Sequence, residues 1–200
     1  EVNIFVYDLH NNIKKVDSIK GINIIKKNYT NIIITSEDNI FNKTRIIFRG
    51  KNNICLILKS QYRIDQVTFD FGSNSILFIE DNFSSGPCVF RLREEKNIFI
   101  GNDCMFSSDI SVWTSDGHAI LDNNNRCINR GGDIVLMDHV WIGHGVKILK
   151  NTAINKDTVV GGNSLVNKKF YQKNLLIAGS PASIIKRDIH WVRESPLQFP

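Results

Sequence analysis

The stretch LMDHVWIGHGVKILKNTAINKDTVVGGNSLV, residues 136–166, places a branched aliphatic residue at every sixth position: Leu136, Ile142, Ile148, Ile154, Val160 and Val166. Four residues after each of the first five stands a small or β-branched residue: Val140, Val146, Thr152, Thr158 and Ser164. An α-helix repeats at 3.6 residues and a strand at 2, so neither generates a strict six. A six-residue period marks a parallel β-helix, in which each hexapeptide forms one side of a triangular coil. The expected class is therefore all-β.

The same spacing occurs at Ile100, Phe106 and Val112, with Cys104 and Ile110 at the offset position. It then fails across WTSDGHAILDNNNRCINRGGD, residues 113–133, which are polar and rich in Asn and Gly. In a solenoid such an insertion leaves the coil as a loop, commonly on the binding face. Upstream, from Ile22, short runs read as less regular rungs: Ile32–Ile34, Arg45–Phe48, Ile54–Leu58, Val67–Phe71 and Ile76–Ile79. The breaks between them hold residues that tolerate positive φ, such as Gly50, Asn53, Gly72 and Asn74. The expected organisation is a lead-in or capping segment at 1–21, the coil at 22–181 with its excursion at 113–133, and a C-terminal helix and tail at 182–200. Pro181 would open that helix over Ala182–Arg193, closing the open end of the coil.

Two hundred residues suit one domain with a sizeable core. No apolar run has the length of a membrane span, and no signal peptide is visible. The first residue is Glu1 rather than Met, so whether the chain is part of a longer protein stays open. Cys55, Cys88, Cys104 and Cys127 form no CxxC pair and read as reduced thiols in the core of a cytoplasmic protein. Residues 136–200 carry nine Lys/Arg against four Asp/Glu, whereas the preceding residues balance at sixteen of each. No dense basic stripe with interleaved aromatics accompanies this excess, so nucleic acid is not the expected partner. A small phosphate-bearing ligand fits better.

Four pieces carry a specific resemblance: IGNDCMFSSDISVWTSDGHAI (100–120), VWIGHGVKILK (140–150), VVGGNSLV (159–166) and IAGSPASIIK (177–186). In order and spacing they resemble the hexapeptide-repeat acyltransferases, within these the sugar O-acetyltransferases that act on galactosides, maltose, capsule or lipopolysaccharide. The resemblance covers about half the chain. It implies a left-handed parallel β-helix, acetyl-CoA as acetyl donor, no metal, and a homotrimer with its active site between subunits.

It also implies roles. His118, on the excursion, corresponds to the general base that takes a proton from the acceptor hydroxyl, a task suited to imidazole near neutral pH. Asp116, Asp109 or a backbone carbonyl is expected to orient its ring, and Trp141 to stand beside it. Gly143, Gly162 and Ala178 fall where the family lines its CoA groove, with Asn167 and Lys168 just beyond, while His144 replaces a small hydroxyl residue of some relatives and would contact the thioester or the acceptor. Lys186 and Arg187 would face the phosphates, while Ser183 replaces a basic residue of some relatives. A backbone amide near Gly143 or His144 would stabilise the oxyanion. Arg91, Arg93, Glu94, Ser107, Ser108 and Asp109, on the rung before the loop, are the expected acceptor contacts, the arginines suiting an acidic sugar.

Other readings stand beside this one. An N-acetyltransferase acting on an amino sugar nucleotide would use the same scaffold. A hexapeptide-repeat carbonic anhydrase would bind zinc through His139, His144 and a third His. A non-catalytic β-helix would serve only as an assembly module.

Overall fold

The six-residue series faces inward without exception: Ile142, Ile148, Ile154, Val160 and Val166 are completely buried, and Leu136 nearly so. The computed structural model describes residues 1–200 and shows why. The chain winds into three sheets of nine, eight and seven strands, each parallel apart from an antiparallel strand at one end of two of them. One turn runs through Ile98–Ile100 in the first sheet, Met105–Phe106 in the second and Ile110–Trp113 in the third. Stacking aligns Ile100 with Leu136 and Ile154, Phe106 with Ile142 and Val160, and Val112 with Ile148 and Val166. Three sides of six residues make an eighteen-residue turn, as the pairing of Leu136 with Ile154 records.

The N-terminal turns are wider. Ile32 pairs with Ile54 and Ile54 with Ile76, a step of twenty-two residues. Phenylalanine fills the wider interior: ring centroids of Phe48 and Phe71 lie 5.0 Å apart, Phe69 and Phe90 5.1 Å, and Phe83 and Phe106 5.1 Å. Asn53, expected at a positive-φ break, is instead buried. Its Nδ2 donates to Asn31 Oδ1 at 2.8 Å and to the Gly72 carbonyl at 2.9 Å, and its Oδ1 accepts from the Ser75 N–H at 3.1 Å. The left-handed residue there is its neighbour Asn52. Between the first and second sheets the sharp corner falls in successive coils on Asn82, Asp103, His139, Asp157 and Asn174, all with positive φ. Asn and Asp tolerate this conformation better than most side chains.

The two ends differ from expectation in different ways. The lead-in is a hairpin of Val2–Tyr7 and Ile13–Val16 whose first strand pairs in parallel with Asn31–Ser36. The C-terminal helix does not form. Ala182–Lys186 is a strand that folds back antiparallel on Leu176–Gly179, and the only helical turn is a 3-10 turn at Pro196–Gln198. Gly179, at φ 105°, permits the reversal, and the exposed edge of Leu176–Gly179 offers backbone groups that a helix could not pair. The tail then returns along the corner column. Trp191 is buried, stacks on His139 with centroids 4.1 Å apart, and donates Nε1 to the His139 carbonyl at 2.9 Å. Arg193 binds Asp103, Ser84 and the Asn82 carbonyl and lies over Tyr62.

Cys55, Cys88 and Cys104 are buried free thiols, their ionisation pushed up by burial. Cys127 departs from the core reading and lies on the excursion, where its backbone bridges to Leu121. Because inward positions stack without gaps, Ile148→Ala should lower unfolding free energy by about 2–5 kcal/mol in urea titration. Lys147→Ala, exposed on the same strand, should stay within about 0.5 kcal/mol of the parent.

Candidate active site

The excursion leaves the coil at the corner between the third and first sheets. Ile98 pairs with Ile134, thirty-six residues on, twice the eighteen of the following turn. Trp113, which opened the irregular stretch in sequence, belongs to the coil: it pairs with Arg91 and Leu149, so the loop proper begins at Thr114. Its outward indole continues the face of the sheet.

The loop is a small hairpin with a defined base. Asp122 closes its tip by accepting from the N–H groups of Asn124 and Arg126 at 2.8 and 2.9 Å. Asn129 holds its two arms together: Nδ2 donates to Asp116 Oδ2 at 2.8 Å and to the His118 carbonyl at 2.9 Å, while Oδ1 accepts from the Ile120 N–H at 2.7 Å. Lys150, at the same corner one coil on, pairs with Asp116 and donates to the Asn129 carbonyl. Glu94, one coil before, accepts from Ser115 Oγ and from the Gly131 N–H, tying the two ends of the loop. Hydrogen bonds from Lys150 and Asn129 hold the Asp116 carboxyl below the usual carboxylate range, and those from Ser115 and Gly131 do the same for Glu94.

This frame presents His118 to solvent with its carbonyl fixed and its imidazole unbonded. Neither acidic residue expected to orient the ring does so within the chain. Asp116 is consumed by Lys150 and Asn129 and shapes the loop, and Asp109 faces His144 at 3.8 Å. Trp141 stands on the second sheet beside Trp191, ring centroids 5.9 Å apart, away from the corner that carries His118.

The groove residues divide between two borders of the third sheet. Gly143, His144, Gly162 and Ala178 stack at its border with the second sheet. A Cβ on Gly143 would lie 2.8 Å from the Gly162 nitrogen and the Val160 carbonyl, so coil spacing itself demands glycine. The Gly143 N–H is taken by Val160, whereas those of His144 and Gly162 donate to no backbone carbonyl. Ser108 Oγ lies 2.9 Å from His144 Nδ1, which joins an expected acceptor contact to an expected cofactor contact. Asn167 and Lys168 stand instead at the border that bears the excursion, and Lys168 Nζ lies 5.6 Å from the Phe170 ring. Lys186 is exposed on the terminal hairpin, and Arg187 reaches Gln172.

Of the acceptor candidates, Arg93 is bound to Asp70 and Glu94 to the loop, while Ser107 lies on the path between strands. Arg91 lines a cavity of about 490 Å³ with Asp70, Trp113 and Gly117, the last adjoining His118. His139 and His144, paired in the zinc reading, sit at different corners. His139 contacts Asp157 at 3.0 Å and lies beneath Trp191. Lys150, Asn129 and Trp191 were invisible as site-shaping residues, because their roles come from stacking and not from spacing.

No family model matches the chain. It is 31% identical over 193 residues to the polysialic acid O-acetyltransferase of Neisseria meningitidis, covering 82% of this chain and 86% of that protein. A 98-residue stretch is 37% identical to the polysialic acid O-acetyltransferase of Escherichia coli O1:K1 / APEC, covering 48% of this chain and 32% of that protein. The chain thus matches about a third of the length of that relative. A crystal structure of the polysialic acid O-acetyltransferase OatWY superposes with a TM-score of 0.74 at 26% identity, covering 95% of this chain and 91% of that one.

The depressed carboxyls of Asp116 and Glu94 stabilise the loop above their unfolded-state values near pH 4, and that contribution drains as pH falls through the lower folded values. Amide exchange of residues 116–130, corrected for intrinsic rates, should therefore hold level from about pH 8 to pH 5 and accelerate only in acid. Lys150→Met should bring faster loop exchange at neutral pH while leaving the coil protected. Acceleration centred near pH 6.5 would instead point to a histidine.

Proposed function

We propose, because the chain belongs to the hexapeptide-repeat sugar O-acetyltransferases, that it acetylates a hydroxyl of a cell-surface carbohydrate or its precursor, with acetyl-CoA as donor and His118 as general base. The observation that carries this reading is the excursion. A hairpin tied down by Glu94, Asn129 and Lys150 holds one unbonded imidazole next in the chain to Gly117, which lines the cavity. A sugar hydroxyl is a poor nucleophile near pH 7, and a positioned imidazole removes its proton as the oxygen attacks.

The residues present fit the cofactor in two respects. At the corner of Gly143 and Gly162 the His144 and Gly162 N–H groups donate to no backbone carbonyl, and Lys168, Lys186 and Arg187 supply cations for phosphates. Acetyl-CoA would supply an activated thioester carbonyl. The His144 N–H is the amide free to stabilise charge on that oxygen, since the Gly143 N–H is already engaged. Transfer is direct, with no acetyl-enzyme.

The division of residues between two corners supports a site shared by subunits of a homotrimer, coiled in the left-handed sense. His118 on one chain and Trp141 with the glycine corner on its neighbour would then face each other. Ile120, Leu121 and Ile128, exposed on the hairpin, suit an arm that packs against another copy. No helix is long and apolar enough to cross a membrane, and a cytoplasmic location agrees with a cytoplasmic acetyl donor.

Incubation with acetyl-CoA and a panel of capsular oligosaccharides, followed by mass spectrometry, should show acetyl addition that mild alkali removes, as an ester requires and an amide does not. His118→Ala should reduce turnover about 10²–10⁴-fold with the fold intact. Unchanged turnover in that variant would remove His118 from the mechanism.

A further inference from the structure

Asp70, Arg91 and Trp113 occupy one column of the third sheet on three successive coils. The neighbouring carboxylate is the natural partner of Arg91, yet Asp70 is already engaged by two other guanidinium groups. Arg49 gives it Nε at 2.8 Å and Nη2 at 3.0 Å, and Arg93 Nη2 stands 2.9 Å away. Glu94 and Asp116, the other acidic groups on the cavity wall, are committed to the loop. Arg91 is the cation left over. Its guanidinium carbon lies 4.7 Å from the centroid of the Trp113 ring, a stack that orients the plane without satisfying a donor.

Arg91 Nε and Trp113 Nε1 are both buried and have no hydrogen-bond partner. Arginine and the indole donate and never accept, so each can be satisfied only by an acceptor. Two adjacent buried donors left unpaired are costly unless something outside the chain completes them. That something brings oxygen acceptors and negative charge, and it enters a cavity that also touches Gly117, the residue before the proposed base. A planar carboxylate matches the guanidinium fork.

We propose that Arg91 and Trp113 form the receptor for a carboxylate of the acceptor sugar, so that the enzyme selects acidic over neutral glycans. The inference rests on the reading of the chain as a sugar O-acetyltransferase and assigns the residues that set its substrate class. Arg93 and Arg49 act differently: they occupy Asp70 and thereby leave Arg91 available.

Calorimetry with a sialic acid oligomer, and with the same oligomer after reduction of its carboxyls to alcohols, tests this on the full chain. The parent should bind the acidic form at least about tenfold more tightly than the reduced form. Arg91→Gln should weaken acidic binding about 10–100-fold, to the level of the reduced form, and leave reduced-form binding unchanged. Trp113→Phe keeps the ring and removes only the donor, and should cost a smaller factor on the acidic form alone. In steady-state assays KM for the acidic acceptor should rise while KM for acetyl-CoA stays fixed. Equal binding of both oligomers by the parent, or equal weakening of both by Arg91→Gln, would overturn the receptor. So would a rise in KM for acetyl-CoA, which would make the anion a cofactor phosphate. Acid-selective, Arg91-dependent binding without any acetyl transfer would uphold the receptor and retire the transferase reading instead.

Discussion

Backbone amides along the sides of a parallel coil find their partners one turn above or below, and this requirement governs the rest of the molecule. Once Leu136 lies over Ile154 and Ile142 over Val160, the inward positions are locked in columns, with the offset residues Val140, Val146, Thr152, Thr158 and Ser164 buried beside them. A one-residue slip would turn the whole aliphatic set toward solvent. An excess as long as that after Trp113 is not absorbed within a side, and it leaves at a corner. The excursion does this, and the next turn resumes at Ile134 in register with Ile98.

The corners hold the residues of the proposed site for the same reason. Side chains on the flat faces stack in continuous ladders, but a corner residue projects with its backbone partly unpaired. Glycine at 143 is a requirement of close coil spacing, and the His144 and Gly162 N–H groups beside it donate to no backbone carbonyl. The corner that releases the hairpin has Glu94 before it and Lys150 after it, so adjacent coils fix a loop whose own sequence is mostly polar. On the third face the ladder of Asp70, Arg91 and Trp113 shows how competition within a column leaves one cation unmatched. The order of neighbours, not the charge count, decides which one.

Much of this was legible beforehand. The period foretold the inward columns, including the turn at Ile100, Phe106 and Val112, and its failure pointed to the loop bearing His118. The terminal helix was misread because ASIIK has no partner in a linear reading. In three dimensions it meets an open strand edge and pairs with it. Asp116 pairs with Lys150, which arrives from the next coil, and sequence proximity to His118 says nothing of that partner.

What the chain encodes locally is therefore its period, the residue types at each turn and the place where the repeat breaks. These depend on side-chain size and backbone tolerance, which each position carries with it. Only the folded coil decided which residues meet across turns: Lys150 with Asp116, Trp191 with His139, Ser108 with His144, and Asp70 with Arg49 and Arg93 in preference to Arg91. Such contacts join residues some twenty or more positions apart, and their strength is set by stacking geometry that no local spacing contains.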